Sequence, residues 1–358
     1  MKEFDEVFVD KTKYGTKLKT SDYKECGKYP IIDQGQETIA GYTDAEDGVF
    51  KEVPVIIFGD HTRVIKYVDK PFFLGADGVK VLRSKYLDAN YRYLFYALLN
   101  LKIPNTGYNR HFKWLKEAKI QYPTLKQQEK VVGILDKIEE VIAARNKQLN
   151  ALDELIQARF VEMFGDINVN PLGWDTYNLD ECFEIASSKR ILKSEWKTEG
   201  IPFLRVRDVV QLVTTGKIDN DFFVSEEFYA TLKDSDGIPK QGDVLVSATS
   251  TLGKCYIVKS GERFYFKDAD VLRFRSKKNI NPVFFVEQMK TQYIEKQIAR
   301  TLGVTTVAHF TIKAAKTINM RLPDIDLQNQ FADFVNQVNK SKLVIKNLLQ
   351  IYKHQIQM

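Results

Sequence analysis

Pro123-Thr124-Leu125-Lys126-Gln127-Gln128 follows a short alternating stretch, Lys119-Ile120-Gln121-Tyr122, and opens a long run with helical apolar spacing. The same arrangement returns 200 positions later, where Asn319-Met320-Arg321-Leu322 leads into Pro323-Asp324-Ile325-Asp326-Leu327-Gln328. Both copies read as a short strand, a proline, and a glutamine after four intervening residues. The register then holds: Val131, Ile134, Leu135, Ile138, Leu149, Leu152 and Ile156 match Phe331, Phe334, Val335, Val338, Leu349, Tyr352 and Ile356. Seven apolar matches at one fixed offset identify an internal repeat, which organises the rest of the chain.

In the first copy Val131, Ile134, Ile138, Val141, Arg145, Leu149, Leu152, Ile156, Phe160 and Met163 step by threes and fours. In the second, Phe331, Phe334, Val338, Ser341, Ile345, Leu348, Tyr352 and Ile356 do the same. This spacing predicts long helices over 124–164 and 324–356 and is that of a coiled-coil seam. Thr124 with Gln127 forms a capping box at the first start, and Asp324 or Asp326 can cap the second. Phe164-Gly165 is expected to close the first helix, the glycine taking the left-handed position. One such helix would ordinarily pack on its own domain. Two matched helices of about 35 to 40 residues, roughly 55 to 60 Å long, exceed a small domain's diameter. They are expected to pair antiparallel and hold two domains apart.

The segments before the helices are β-rich. Val53-Pro54-Val55-Ile56-Ile57-Phe58 and Gly242-Asp243-Val244-Leu245-Val246-Ser247 are buried strands opened by turn residues. Ile201-Pro202-Phe203-Leu204-Arg205-Val206-Arg207-Asp208 alternates, which predicts a strand with Arg205 and Arg207 on one face. Tyr91–Leu99 and Pro282–Met289 read as helices at matching places. The fold class is therefore α+β: two β-rich domains separated by two long antiparallel helices forming a coiled coil, with pseudo-twofold internal repetition. The divisions fall at 1–123, 124–165 (central helix), 166–323 and 324–358 (C-terminal helix).

The net charge of +6 is modest, but residues 1–123 carry 20 basic and 17 acidic groups and residues 166–323 carry 23 and 20. The positive excess sits equally on two globular portions, as in a pair of modest polyanion-binding units. Three scattered cysteines, Cys26, Cys182 and Cys255, exclude a disulfide framework and the usual zinc spacing. The opening Met1-Lys2-Glu3-Phe4-Asp5-Glu6 lacks an apolar run, and no apolar stretch is long enough to span a bilayer. A cytoplasmic location and no membrane partner are expected.

Enzyme signatures are missing. There is no Gly-x-Gly-x-x-Gly or Gly-x-x-x-x-Gly-Lys phosphate loop. Asn170-Pro171-Leu172-Gly173 lacks the second proline and the aromatic that would receive a flipped base. Glu195-Trp196-Lys197 has a nuclease-like core without a suitably set upstream aspartate. The four histidines, His61, His111, His309 and His354, are not spaced as metal ligands. No catalytic or metal-binding residue is assigned.

DNA-contacting loops must combine basic, amide or hydroxyl groups with chain-reversing residues, so that side chains reach base edges and backbone amides reach phosphates. In the first portion His61, Thr62 and Arg63 follow a buried strand, and Thr106, Tyr108, Asn109 and Arg110 precede the long helix. In the second portion the equivalents are Lys189, Arg190, Arg205, Arg207, Thr249, Ser250, Lys254, Thr305 and Thr306. Each loop alone could be a solvated turn. Their recurrence at corresponding points of the two repeats favours a binding role.

The run from Pro123 through Val131-Val132-Gly133-Ile134-Leu135-Asp136 to Ala158-Arg159-Phe160-Val161-Glu162-Met163-Phe164-Gly165-Asp166 resembles the central conserved helix of the specificity subunits of type I restriction-modification systems. Ile201–Val209 and Gly242–Ser247 are similar to opening strands of that family's target recognition domains. Lys28–Gly35 with Phe58–Arg63 is similar to another recognition-domain subtype. The resemblance covers essentially the whole chain. It implies an asymmetric bipartite double-stranded DNA target, each half read by one domain, with an unread spacer set by the helices. It also implies two modification subunits beside the helices, and restriction subunits joining that core. Candidate partner contacts are Arg145, Leu149, Leu152, Ile345, Leu348 and Tyr352. The chain itself is expected to bind no cofactor, with S-adenosylmethionine, ATP and Mg2+ on the partners. The second copy ends before the equivalents of Phe160 to Phe164, so its helix is expected to be shorter. The rivals are a coiled-coil adaptor with two protein-binding domains, and an orphaned fragment of a single-chain restriction-modification enzyme.

Overall fold

The computed structural model describes residues 1–75, 77–232, 237–249, 251–302 and 309–356. The chain divides into two compact units, Met1–Gln148 with Ile345–Met358, and Leu149–Val344. Each unit combines one β-rich portion with a stretch of both long helices, Leu125–Phe164 and Ile325–Ile356.

Unit 1 is built on an antiparallel sheet ordered Phe8–Asp10, Val79–Ser84, Val55–Gly59, Ile65–Val68. Unit 2 repeats that order with Phe183–Ala186, Val271–Ser276, Val244–Ser247, Cys255–Ile257. A smaller sheet of Gly41–Thr43, Tyr29–Ile32 and Phe73–Leu74, the last pair parallel, recurs as Phe223–Val224, Ile201–Leu204 and Tyr265–Phe266. Short helices Phe112–Lys116 and Ile312–Lys316 also correspond, as do Tyr91–Leu99 and Pro282–Met289. The central strands are buried at every position, which is why they read as unbroken apolar runs. Unit 2 adds helices Val206–Thr215, Glu226–Thr231 and Gln292–Thr301.

The glutamines of the repeated motif have a structural task. Gln128 Nε2 donates to the Pro123 carbonyl at 2.9 Å, and Gln328 Nε2 to the Pro323 carbonyl at 2.7 Å. Both glutamines are buried, so each clamps a carbonyl that would otherwise lose water at the corner between strand and helix. At the first start only one arm of the capping box forms: the Thr124 N–H donates to Gln127 Oε1 at 3.1 Å. The first helix ends at Phe164 and is closed by Gly165, whose φ is +71° and whose N–H donates to the Val161 carbonyl at 2.8 Å.

The helices run antiparallel within each unit. In unit 2, Leu152, Ile156, Phe160 and Phe164 pack with Phe331, Val335 and Val338, and Lys342 bonds Asp153. In unit 1, Val131 and Leu135 line a cavity of about 300 Å³ with Gln355 and Ile356. The packed rows are Leu135, Ile138, Ile142, Arg145, Leu149, Leu152, Ile156 and, in the second copy, Val335, Val338, Lys342, Ile345, Leu349, Tyr352, Ile356, all buried or half-buried. Ile134, Val141 and Ser341, expected in the seam, face solvent. They sit one position off the row that a repeat of 3.5 residues keeps in phase. Unit 1 has an additional hold on the central helix: Arg92 Nη2 reaches Asp136 at 2.6 Å and Glu139 at 2.8 Å, and the Tyr96 hydroxyl donates to Asp136 at 2.8 Å.

The segment Ile201–Asp208 is not one strand. The strand stops at Leu204, and Arg205 is the cap of helix Val206–Thr215. Buried Asp208 accepts from the Arg205 N–H and from Arg205 Nε, both at 2.9 Å. This local capping bond ends the alternation that the sequence suggested. Arg205 and Arg207 therefore flank a helix start rather than share a strand face. Among the described residues, no helix is long and apolar enough to cross a membrane.

Candidate nucleic-acid interface

In unit 1 the hairpin joining Val55–Gly59 to Ile65–Val68 carries His61, Thr62 and Arg63. It is held tight by Gly59 N–H to Val64 O at 2.8 Å and Arg63 N–H to Gly59 O at 2.7 Å, with Arg63 left-handed at φ 62°. Gln34 braces it from outside: its Oε1 accepts from the His61 N–H at 3.1 Å, and its carbonyl accepts from Thr62 Oγ1 at 2.6 Å. Beneath it, burial pulls the Lys66 ammonium below its ordinary value, opposed by Asp33 at 3.3 Å.

The segment before helix Phe112–Lys116 lies against this hairpin. The His61 and Tyr108 rings stack at 4.7 Å and 10°, with Tyr108 87% exposed. Arg63 Nη1 donates to the Ile103 carbonyl at 3.3 Å, and Asn109 Nδ2 to the Thr106 carbonyl at 2.5 Å. Arg110 is exposed beside them. All seven unit 1 candidates thus fall on two adjoining segments that present a flat aromatic, amides, hydroxyls and two guanidinium groups. Such a surface suits base edges and phosphates together.

Unit 2 builds the same junction on different residues. The hairpin between Val244–Ser247 and Cys255–Ile257 carries Thr249 and exposed Lys254, whose N–H donates to Ser247 Oγ at 2.9 Å. In unit 1 the Asp60 N–H donates to Gly78 O at 2.7 Å and the His111 N–H to Asp60 O at 2.7 Å. In unit 2 the Ala248 N–H donates to Asp270 O and the Phe310 N–H to Ala248 O, both at 2.8 Å. Arg190 lines a shallow cavity of about 440 Å³ with His309 and Lys313, and the neighbouring Lys189 N–H donates to Tyr265 Oη at 2.7 Å. Ser250, Thr305 and Thr306 lie outside the described residues. Arg205 and Arg207 stand at the helix start bonded to Asp208 instead.

The sequence missed Gln34, His111, His309 and Lys313 as parts of these sites. Gln34 and His111 act through bonds between distant segments, which leave no local pattern. Lys313 had a signal, since the repeat puts it level with Lys113 on the matching helix.

Of the proposed partner contacts, Ile345 is buried and Arg145, Leu149, Leu152, Leu348 and Tyr352 are half-buried, because they line or flank the helix seam. The apolar groups on the helices that do face solvent are others, among them Ile134 at 53%, Val344 at 60% and Ile351 at 56% exposure.

The two arginine environments predict opposite behaviour. Arg110→Ala should either lower the slope of log affinity against log salt by roughly one, as for a phosphate contact, or relax one base position by about 1–3 kcal/mol. Arg205→Ala strips a partner from buried Asp208 and should cost about 1–3 kcal/mol of stability with the salt slope unchanged. Salt titrations, targets with single-base changes and thermal unfolding of both variants check this; an Arg110→Ala variant with both its salt slope and its base preference unchanged would contradict the placement.

The sequence model of the type I restriction modification DNA specificity domain matches residues 1–154 and 171–351. The chain is 27% identical over 267 residues to the EcoR124I/EcoR124II type I restriction enzyme specificity subunit of Escherichia coli, covering 68% of this chain and 62% of that one. It is 24% identical over 303 residues to the MjaVIII specificity subunit of Methanocaldococcus jannaschii, covering 72% and 68%. A chain of Haemophilus influenzae named for the same kind of subunit is 29% identical over 195 residues, covering 51% and 48%. The matches thus span about half to two thirds of these relatives' own lengths. The type I restriction-modification S subunit from M. genitalium shares the fold at a TM-score of 0.56 and 18% identity, over 99% of this chain and 94% of that one. With the family model matching both β-rich portions and most of both long helices, this chain belongs to the family of type I restriction modification DNA specificity domains.

Proposed function

We propose that this chain is the DNA-reading, non-catalytic specificity subunit of a type I restriction-modification complex. Each unit reads one half of an asymmetric bipartite double-stranded target through its hairpin and the segment before its short helix. The modification subunits would carry adenine methylation and S-adenosylmethionine, and the restriction subunits ATP-driven translocation and Mg2+-dependent cleavage. The observation that carries this is the repeated junction: the same pair of backbone bonds fixes a basic, polar hairpin in both units, on unlike residues. A shared frame with different side chains is what reading two different half-sites requires. Solvent-facing Ile134, Val141, Leu155, Val344 and Ile351 are the better candidates for partner contact than the seam residues.

The test is reconstitution. The purified chain with S-adenosylmethionine should transfer no methyl groups to DNA, and adding the cognate modification subunit should produce adenine methylation. Robust methyl transfer by the chain alone would overturn the proposal.

A further inference from the structure

We infer that Asp60 and His111 are positioning residues of the unit 1 interface, a buried pair that pins the hairpin to the segment bearing Tyr108 and Arg110 and so fixes what this unit reads. The inference rests on the DNA-reading role proposed above. Asp60 is 3% exposed and His111 wholly buried, so neither can touch DNA while the unit is folded. The Asp60 carbonyl accepts the His111 backbone N–H at 2.7 Å and faces His111 Nδ1 at 3.0 Å. A carbonyl oxygen only accepts, so Nδ1 carries the proton there. In the neutral ring Nε2 is then an acceptor, and the Thr106 N and Oγ1 both lie 3.5 Å from it. Asp60 Oδ1 takes the Phe112 N–H at 2.8 Å, and the Asp60 N–H goes to Gly78 O at 2.7 Å. One residue thus ties three segments together, and its neighbour extends the tie to Thr106.

Folding alone does not require this arrangement. In unit 2 the matching hairpin position is Ala248, which keeps the two backbone bonds and has no side chain to add to them. A buried carboxylate and imidazole are costly to desolvate unless well bonded. Unit 1 uses them where an exposed Tyr108 ring must be held against His61. A loop free to shift by an ångström would lose the alignment that base recognition needs.

The experiment uses the full chain assembled with its modification subunit, and a library of targets carrying single-base changes in each half-site, read by sequencing methylated adenines. His111→Ala should make changes in the unit 1 half-site about tenfold better tolerated, with discrimination in the other half-site unaltered. His111→Asn, which keeps a donor near the Asp60 carbonyl, should recover most of the loss. Asp60→Asn, which keeps an oxygen for the Phe112 N–H, should be milder than His111→Ala and act on the same half-site. Unchanged unit 1 discrimination in His111→Ala, whatever its melting temperature, would overturn the inference. So would equal relaxation of both half-sites by His111→Ala and Asp60→Asn, since that marks general unfolding. Arg110→Ala and Arg63→Ala run in parallel: if neither changes affinity, salt slope or methylation pattern, it is the DNA-reading role of this face that fails. If they act and the His111 and Asp60 variants do not, only the positioning role fails.

Discussion

A heptad inserted after Ala144 and another after Val344 should lengthen the unread spacer of the target by about one to three base pairs, or abolish activity with the fold intact. Both long helices contribute to both units, and these insertion points lie within a few residues of where the units divide. Seven residues keep the apolar rows in phase. They add about 10 Å to the helix pair, or roughly three base pairs at 3.4 Å each. Three base pairs also rotate one half-site against the other by about 100°, at about 10.5 per turn. The complex must therefore twist, settle on an intermediate spacer, or fail. Methylation of a spacer-length library, with circular dichroism to confirm helix content, decides between these results. Full activity on the original spacer would mean that the helices do not measure distance.

Phe164→Ala should destabilise unit 2 by about 3–5 kcal/mol, lowering its melting temperature by roughly 10 °C. Phe164 is fully buried at the end of the central helix, with ring centroids 4.9 Å from Phe160, 4.9 Å from Phe284 and 5.3 Å from Phe331. The Trp174 indole N–H closes the turn on the Phe164 carbonyl at 2.9 Å. One side chain thus joins both long helices to helix Pro282–Met289, and its loss leaves a cavity that three rigid rings cannot collapse into. Val161 is 53% exposed one turn away, and Val161→Ala should change stability by no more than about 0.5 kcal/mol. Equal melting temperatures for the two variants would contradict this packing.

The repeat was legible because its cause is local. A proline, a glutamine five positions on and an apolar heptad row leave periodic marks, and the helices begin at Leu125 and Ile325 and the first ends at Phe164 as those marks require. Helices Tyr91–Leu99 and Pro282–Met289 were legible for the same reason. The phase of the seam was not. Ile134 and Leu135 are adjacent and both apolar, as are Val141 and Ile142, and only the partner helix decides which of each pair is covered. The turn at Arg205 was missed because a capping bond to Asp208 is stronger evidence than alternation but looks the same in one dimension. The candidate interface was half legible: its hairpin residues stand together in sequence, while Gln34, Asp60 and His111 meet only after folding.

The exchange of one reading domain is the most direct measurement. Residues 172–322 are replaced with the matching segment of a related subunit, the chimera is assembled with its modification subunit, and methylated adenines are sequenced across a genome. If each unit reads its own half-site, one half of the methylated motif changes and the other half is retained base for base. A change in both halves, or in neither, would contradict that division of labour.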